Sequence, residues 1–278
     1  IMIEGGGQIN VTGLGYTAGN GPGAGTSGGA GGGHGGVGGN WNEGANGGTV
    51  YDSVYDPTDL GSGGHAGGTG GGLVKLTAAT SIVNNGYIDA TGNEVSGAGG
   101  AGGTINLTAG TVTGTGSYRA YGGPGWSGAG GGGGRMAVVA ASIYLANWEV
   151  HSRTGVPYGS GGTLYTHNTS TGERTVYIRN NNNYDSQTYI PNSLWDNSSD
   201  VKLIVGPDSS IKVRSADTYF ATKDVQLGIW PSAGLMIVNE PVTFKNLTLS
   251  YSGTIRHDAN TTAKTNYIDI TTVGDLNI

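Results

Sequence analysis

The chain contains no cysteine, so neither a disulfide framework nor a thiolate metal site is open to it, and packing with backbone hydrogen bonding must hold it together. Charge is also scarce. Charged residues make up 12% of the 278, about half the usual share. The 13 basic and 19 acidic residues, net −6, are scattered singly, and no basic stripe exists to neutralise phosphates, so nucleic acid is not an expected partner. The longest apolar run, Met136 to Ala141, is far short of the ~18 residues a membrane-crossing helix needs, and no charged segment leading into an apolar core opens the chain. No membrane span is expected. Sustained helical periodicity is missing throughout. Because Ile1 stands where an initiating Met would, the chain is expected to be a processed product or a piece of something longer.

Glycine is the residue in excess: 58 of 278, roughly three times ordinary usage. It is concentrated in four tracts, near Gly28 to Gly39, Gly61 to Gly72, Gly97 to Gly103 and Gly122 to Gly134. Placing Gly72, Gly103 and Gly134 under one another aligns Leu73 to Thr77 with Thr104 to Thr108 and with Arg135 to Val139, a period of 31 residues. Fixed self-similarity of this length is the mark of a stacked repeat. A second short strand follows in each repeat, at Tyr87 to Ala90, Ser117 to Ala120 and Asn147 to Val150, and Gln8 to Gly13 has the same form, so a partial repeat opens the chain.

Inside the tracts the non-glycine residues recur at every third position, as in His34, Val37 and Asn40 or Ala98, Ala101 and Thr104. Period three suits an extended left-handed helix that makes no hydrogen bonds within itself and must satisfy its amides against neighbours. Glycine at the remaining positions lets backbones approach closely enough to do so. Polyglycine-II-like segments packed beside a β-solenoid are therefore expected.

Glycine thins out in the second half, where alternating runs begin with Asp or Asn: Asp200 to Ile204, Asp224 to Leu227, Asn246 to Leu249 and Asp275 to Ile278. The first three lead through a turn to a second run, at Ser210 to Val213, Gly234 to Ile237 and Gly253 to Arg256, giving rungs of 22 to 29 residues. The fold class expected is all-β, a parallel, right-handed β-solenoid, with residues 1–160 a glycine-rich region and residues 161–278 a region of plain rungs. Residues 180–200, with four consecutive asparagines, read as the longest loop or a junction.

The segments Tyr51-Asp52-Ser53, Pro57 to Gly64, Gly102 to Gly110, Gly130 to Ala137 and Ser252 to Lys264 carry a likeness to a known group. Through them most of the chain resembles the large glycine-rich tandem-repeat, adhesin-like surface proteins of bacteria, and the tracts resemble the polyglycine sandwiches of phage adhesins. The resemblance implies an extracellular or cell-surface location and a role in adhesion or envelope structure. In similar tandem proteins a rung like Asp275 to Ile278 runs on into a turn and a Gly-Gly-x-Ile-x-Val strand; here that continuation sits at Gly5 to Val11. The unit thus reads as one repeat cut mid-rung. Open solenoid ends leave N–H and C=O groups unpaired, and head-to-tail joining of copies satisfies both. Ile1, Ile3, Ile9, Val11, Leu276 and Ile278 are the expected assembly interface.

The remaining chemistry points away from catalysis. His34, His65, His151, His167 and His257 show no metal-ligand spacing and read as spacers. Asp200, Asp208, Asp217 and Asp224 could line one face, as acids do in β-helix enzymes acting on polysaccharides, but Asp at a rung corner more simply caps a turn. The clusters Asn180 to Asn183 with Asp185, and Asp196, Asn197 and Asp200, offer oxygen ligands for calcium without matching any calcium-loop motif, and solvated loop is the preferred reading. No catalytic, cofactor or metal residue is assigned. Fifteen tyrosines and five tryptophans stand against two phenylalanines, a bias toward rings with a polar handle. Trp41, Tyr51, Tyr55, Tyr121 and Trp126 flank the tracts and are the candidate glycan contacts, their plainer role being to cover side-chain-poor rods. Asn10, Asn106, Asn168, Asn197, Asn246 and Asn260 head glycosylation sequons, of which Asn106 and Asn246, in strands, can carry sugar only if they face outward. The function expected is an extracellular structural subunit of a filament, sheath or layer, with a glycan-binding adhesin as the alternative and a polysaccharide-degrading β-helix enzyme behind it.

Overall fold

A computed structural model describes residues 1–40, 46–93, 97–153, 157–180, 187–188, 190–191, 194, 201–206, 209–228 and 234–278. Over these the chain is a stack of short strands, with one 3-10 turn at Thr218–Thr222 and no helix long and apolar enough to cross a membrane. An incomplete opening turn holds β1 (Met2–Ile3) and β2 (Gln8–Asn10). Three full turns follow: β3 (Leu73–Thr77), β4 (Ser81–Asn84) and β5 (Tyr87–Asp89); β6 (Thr104–Thr108), β7 (Thr111–Thr113) and β8 (Ser117–Arg119); β9 (Arg135–Ala140), β10 (Ser142–Ile143) and β11 (Asn147–Glu149). Each pairs in parallel with its counterpart in the next turn. Leu73 lies beside Thr104 and Thr104 beside Arg135, the register the 31-residue period predicts. The partial opening repeat is likewise in place, with Gln8 beside Tyr87. The side formed by β1, β4, β7 and β10 was not read from the sequence; strands of two to four residues are too short to display alternation.

The glycine pairs at the foot of each tract close the turns. Val11, Ala90, Ala120 and Val150, just beyond the third strand of a turn, accept hydrogen bonds from the amides of Gly72, Gly103, Gly134 and Gly162, just before the strand that opens the next. The neighbouring glycines leave no room for a side chain: a Cβ on Gly71 would lie 1.9 Å from the Ala90 carbonyl oxygen, and one on Gly133 1.7 Å from that of Val150. Each tract is thus an excursion pinched at its base. The excursions bond to one another residue by residue, Gly71 to Ala101, Gly102 to Gly132 and Gly133 to Ser160. The tract of residues 31–39 lies across them, donating from Gly32 to Gly99 and from Gly39 to Gly130 and accepting from Gly132 at Gly32.

A hairpin then departs from the expected all-parallel stack. β12 (Gly162–Asn168) runs parallel to β9, but β13 (Arg174–Arg179) returns antiparallel to β12, and every later strand on that side follows β13. The later strands on all sides are β14 (Gln187–Thr188); β15 (Val201–Val205) and β16 (Ser209–Val213); β17 (Asp224–Leu227), β18 (Gly234–Val238) and β19 (Val242–Phe244); β20 (Asn246–Leu249), β21 (Thr254–Arg256) and β22 (Ile270–Thr272); and β23 (Leu276–Asn277). One nine-stranded sheet, β3-β6-β9-β12-β13-β15-β17-β20-β23, serves both halves.

Alternation across this sheet separates two cores. Val74, Ile105, Leu107, Met136, Val138 and Leu164 face the first, with Ile82, Ile88 and Tyr118. Ala137, Tyr165, Val176, Ile178, Leu203, Val225 and Leu247 face the opposite way, into the second, with Ile211, Met236, Phe220 and Phe244. At the hairpin the strand direction reverses and the inner face switches sides. Since the strands keep advancing one way in chain order, the two reversals cancel and both halves coil with the same hand, the outcome that the strong bias of parallel crossovers favours. Each large apolar residue in these columns contributes about 1.5–3 kcal/mol on burial.

The turn-closing glycines generate a stability test. Gly133→Ala forces a Cβ against backbone and is expected to cost at least ~2–3 kcal/mol, a lowered midpoint in urea titration, whereas Gly5→Ala, with nothing within 4 Å of the added atom, leaves the midpoint unchanged.

Candidate functional site

The two ends of the coil are the exposed apolar surfaces. At the first, β1, β2 and β3 are edge strands with Ile1 49% and Met2 64% exposed; at the second, β21, β22 and β23 are edges, with Leu276 49% and Ile278 91% exposed. Of the six residues expected there, Ile1, Leu276 and Ile278 lie open, Ile9 and Val11 are half-buried against the first core, and Ile3 is covered by its own turn. The Ile1 nitrogen donates to the Ser81 carbonyl at 2.8 Å, extending the pairing of β1 with β4 by one residue.

The second feature is a buried polar junction that sequence reading did not assemble. Residues 51–60 lie across the face of β3, β6 and β9 that turns away from the first core. That face is polar: Lys75, Thr104, Asn106 and Arg135. Lys75 and Asn106 reach the Asp56 carboxylate at 3.1 and 2.7 Å, Thr104 donates to the Asp59 carbonyl, and Arg135, fully buried, donates through Nε to the Tyr51 carbonyl at 2.8 Å and through Nη1 to Thr163 at 3.0 Å. Val54 continues the strap into the second core. Asp52 stands at its head with φ 65°, accepting from the amides of Ser53, Thr58 and Asp59 while His34 Nε2 lies 3.5 Å away. His34 Nδ1 donates to the Gly102 carbonyl at 2.8 Å, so this histidine ties one tract to another.

Electrostatics at the junction are those of a structural clamp. Burial by itself would raise the Asp52 carboxyl, but the bonds from His34 and from the Asp59 and Ser53 amides outweigh it and hold the group down at about 2. Burial lowers the Arg135 guanidinium to about 10, opposed by Asp52 and Tyr51, so it stays charged at neutral pH. Tyr51 is pushed up, chiefly by burial; its hydroxyl donates to the Leu60 carbonyl and accepts from Ser62. Asp52, Asp56, Tyr51, Asn106 and the Nε and Nη1 atoms of Arg135 are each bonded to backbone or to a neighbouring side chain.

The described aromatic candidates pack against different partners. Tyr51 packs its ring 4.8 Å from His34, Tyr55 meets Tyr165 edge-on at 4.8 Å beside the second core, and Tyr121 lies 4.4 Å from His151 with Arg153 over it. Trp126 is 72% exposed. Trp41 lies outside the described residues.

Histidines and acids are dispersed. His65 meets the Gly29 amide, His257 the Asp258 carbonyl, and His151 and His167 are both lowered, first by burial. Asp217 accepts from the Arg214 amide within its turn and Asp224, the first residue of β17, accepts from the side chains of Asn246 on the neighbouring strand and of Lys245, while Asp200 and Asp208 fall outside the described residues. So do Asn181 to Asn183, Asp185, Asp196 and Asn197; among the described residues no group of three His, Asp or Glu is placed to hold a metal. Of the strand sequons, Asn106 is buried with its amide bonded to Asp56 and Pro57, which leaves no access for a sugar. The Asn246 amide is held by Asp224.

Compared with protein-family models, curated proteins and solved structures, the chain matches none.

Two measurements check the junction. Because the Asp52 carboxyl is held below its ordinary 3.8, its contribution to stability is complete above that pH and is lost as pH falls toward about 2; the thermal midpoint of Asp52→Asn is therefore expected to drop less steeply than wild type between those values. Arg135→Ala, which empties a fully buried site and strands its acceptors, is expected to cost about 3 kcal/mol in chemical denaturation.

Proposed function

We propose that this protein is an extracellular structural subunit, a non-enzymatic rod that joins end to end with copies of itself into a filament, sheath or surface layer. The observation that carries the reading is that, among the described residues, β1 to β3 and β21 to β23 are edge strands on which Ile1, Met2 and Leu276 are exposed, with Ile278 exposed just beyond β23. An open parallel stack has no intrinsic stop, and a natural solenoid that stays monomeric covers such edges with a capping segment or charge. The three faces at each end hold edge strands of two to five residues, and among the described residues none is covered by a cap.

The glycine tracts fit the same purpose. We propose that they are polyglycine-II-like rods, supported by the bonding of successive residues to different neighbouring segments, as when Gly32 donates to Gly99 and accepts from Gly132. Such a block stiffens one flank of the coil without a hydrophobic core, and it needs neither disulfides nor metal. The extracellular setting in this reading is supported by the resemblance to surface proteins, and the cysteine-free composition fits it.

A second reading, glycan binding, rests on Trp126, which stands 72% exposed beside the tracts and presents an indole face of the kind sugars stack on. It is compatible with the first, since a polymer multiplies weak contacts.

Sedimentation across a concentration series distinguishes these. Wild type is expected to form end-on polymers that lengthen with concentration, and Leu276→Asp to remain monomeric with an unchanged melting midpoint; a wild type that stays monomeric at all concentrations overturns the structural reading. Trp126→Ala is expected to polymerise normally and, on a glycan array, to lose whatever binding wild type shows.

A further inference from the structure

The ends of the coil are complementary in one particular respect: on the shared sheet, one end has a strand too few and the other a strand too many. At the first end β1 and β2 supply the second and third sides of a turn whose first side residues 1–278 do not supply, because the sheets β1-β4-β7-β10 and β2-β5-β8-β11 both reach the opening turn while the nine-stranded sheet stops at β3. At the second end β23 supplies the first side of a turn on β20, while β21 and β22 are the last strands of their sheets. We propose that β23 of one copy occupies the empty place beside β3 of a second copy, so that β23, β1 and β2 make one composite turn across the joint. The inference rests on the reading of the chain as an end-joining subunit.

Side-chain parity fits. Leu276 lies beside core residue Leu247 and Asn277 beside Thr248, so Leu276 points inward and Asn277 outward. On β3, Val74 and Leu76 face the core and Lys75 faces out. Leu276 beside Val74, Asn277 beside Lys75 and Ile278 beside Leu76 therefore places every apolar residue in an existing column. Ile1 and Ile278 do not overlap in this register. Ile1 lies over Ile82, its carbonyl accepting from the Val83 amide, well past the point where Ile278 ends over Leu76. The remaining faces follow in order, β1 against β21 and β2 against β22, which sets Ile3 near Ile255 and Ile9 near Ile270, both already packed on the second core.

The hairpin fixes how the second copy is turned. Within one chain β23 runs opposite to β3, and the cores lie on opposite faces of the shared sheet. A copy added in the same orientation would present β3 antiparallel with its core on the wrong side. A half-turn about the long axis corrects both at once, so successive copies alternate. Nine strands at about 4.8 Å each give an advance of about 43 Å per copy and an axial repeat of about 86 Å for two.

The test uses the absence of native cysteine. Lys75 and Asn277 are both outward-facing, and neighbouring positions on paired strands lie within the Cα range a disulfide spans. Lys75→Cys with Asn277→Cys in one chain, oxidised in air with a copper catalyst, is expected to give a covalent ladder of multimers on non-reducing gels. Either substitution alone, or Leu73→Cys with Asn277→Cys, is expected to give no ladder, and electron microscopy of wild-type polymers to show the two-copy repeat of about 86 Å. A ladder from the Leu73 pair, or a one-copy repeat without rotation, overturns the joint proposed while leaving the end-joining function standing. Polymers absent by sedimentation overturn both.

Discussion

Everything in this molecule depends on the lateral backbone hydrogen bond. Strands of two to seven residues and glycine segments without secondary structure of their own cannot satisfy their amides internally, so each must find its donors and acceptors in the layer above and below. In the strands the result is a parallel ladder with apolar side chains stacked in columns. In the tracts it is a mesh in which carbonyls sit where a Cβ would have to be, and the sequence answers with glycine. Both are one solution to one problem, differing only in whether a side-chain core helps.

That dependence explains why the turn-closing glycines recur with the period of the fold. Where the end of one turn meets the start of the next, the chain crosses itself at backbone contact, at Val11 with Gly72, Ala90 with Gly103, Ala120 with Gly134 and Val150 with Gly162. The same dependence makes the buried polar strap comprehensible. Once the hairpin turns the outer face of β9 into the floor of a second core, Thr104, Asn106 and Arg135 on β6 and β9 lose water and must be answered, and residues 51–60 answer them with carbonyls and the Asp56 carboxylate. A ladder that needs neighbours in both directions also leaves its two ends unsatisfied, and the assembly proposed here is the continuation of the interaction that builds the interior.

Much of the coil was legible because its repeats are in register with one another: Leu73, Thr104 and Arg135 align in the sequence as they pair in space, and Gln8 to Asn10 was recognisable as a displaced piece of the same unit. The second side of each turn was not, since Thr111–Thr113 and Ser142–Ile143 are too short to show a period. The exposed ends were legible from the same displaced piece. The His34, Asp52 and Arg135 junction was not, because its members are drawn from a tract, a loop and a strand far apart in the chain, with no common motif, and are joined only by packing.

Composition and spacing alone determined that the protein is a glycine-rich β-stack and where many of its repeated strands fall; these are local properties, set by side-chain alternation and by the period of the repeat. Only the tertiary structure decided the direction of travel. A strand of alternating residues reads the same whether it runs up or down the sheet, so the reversal at β12 and β13, the switch of the core from one face to the other, and the half-turn this imposes on any partner emerge only when the strands are laid side by side.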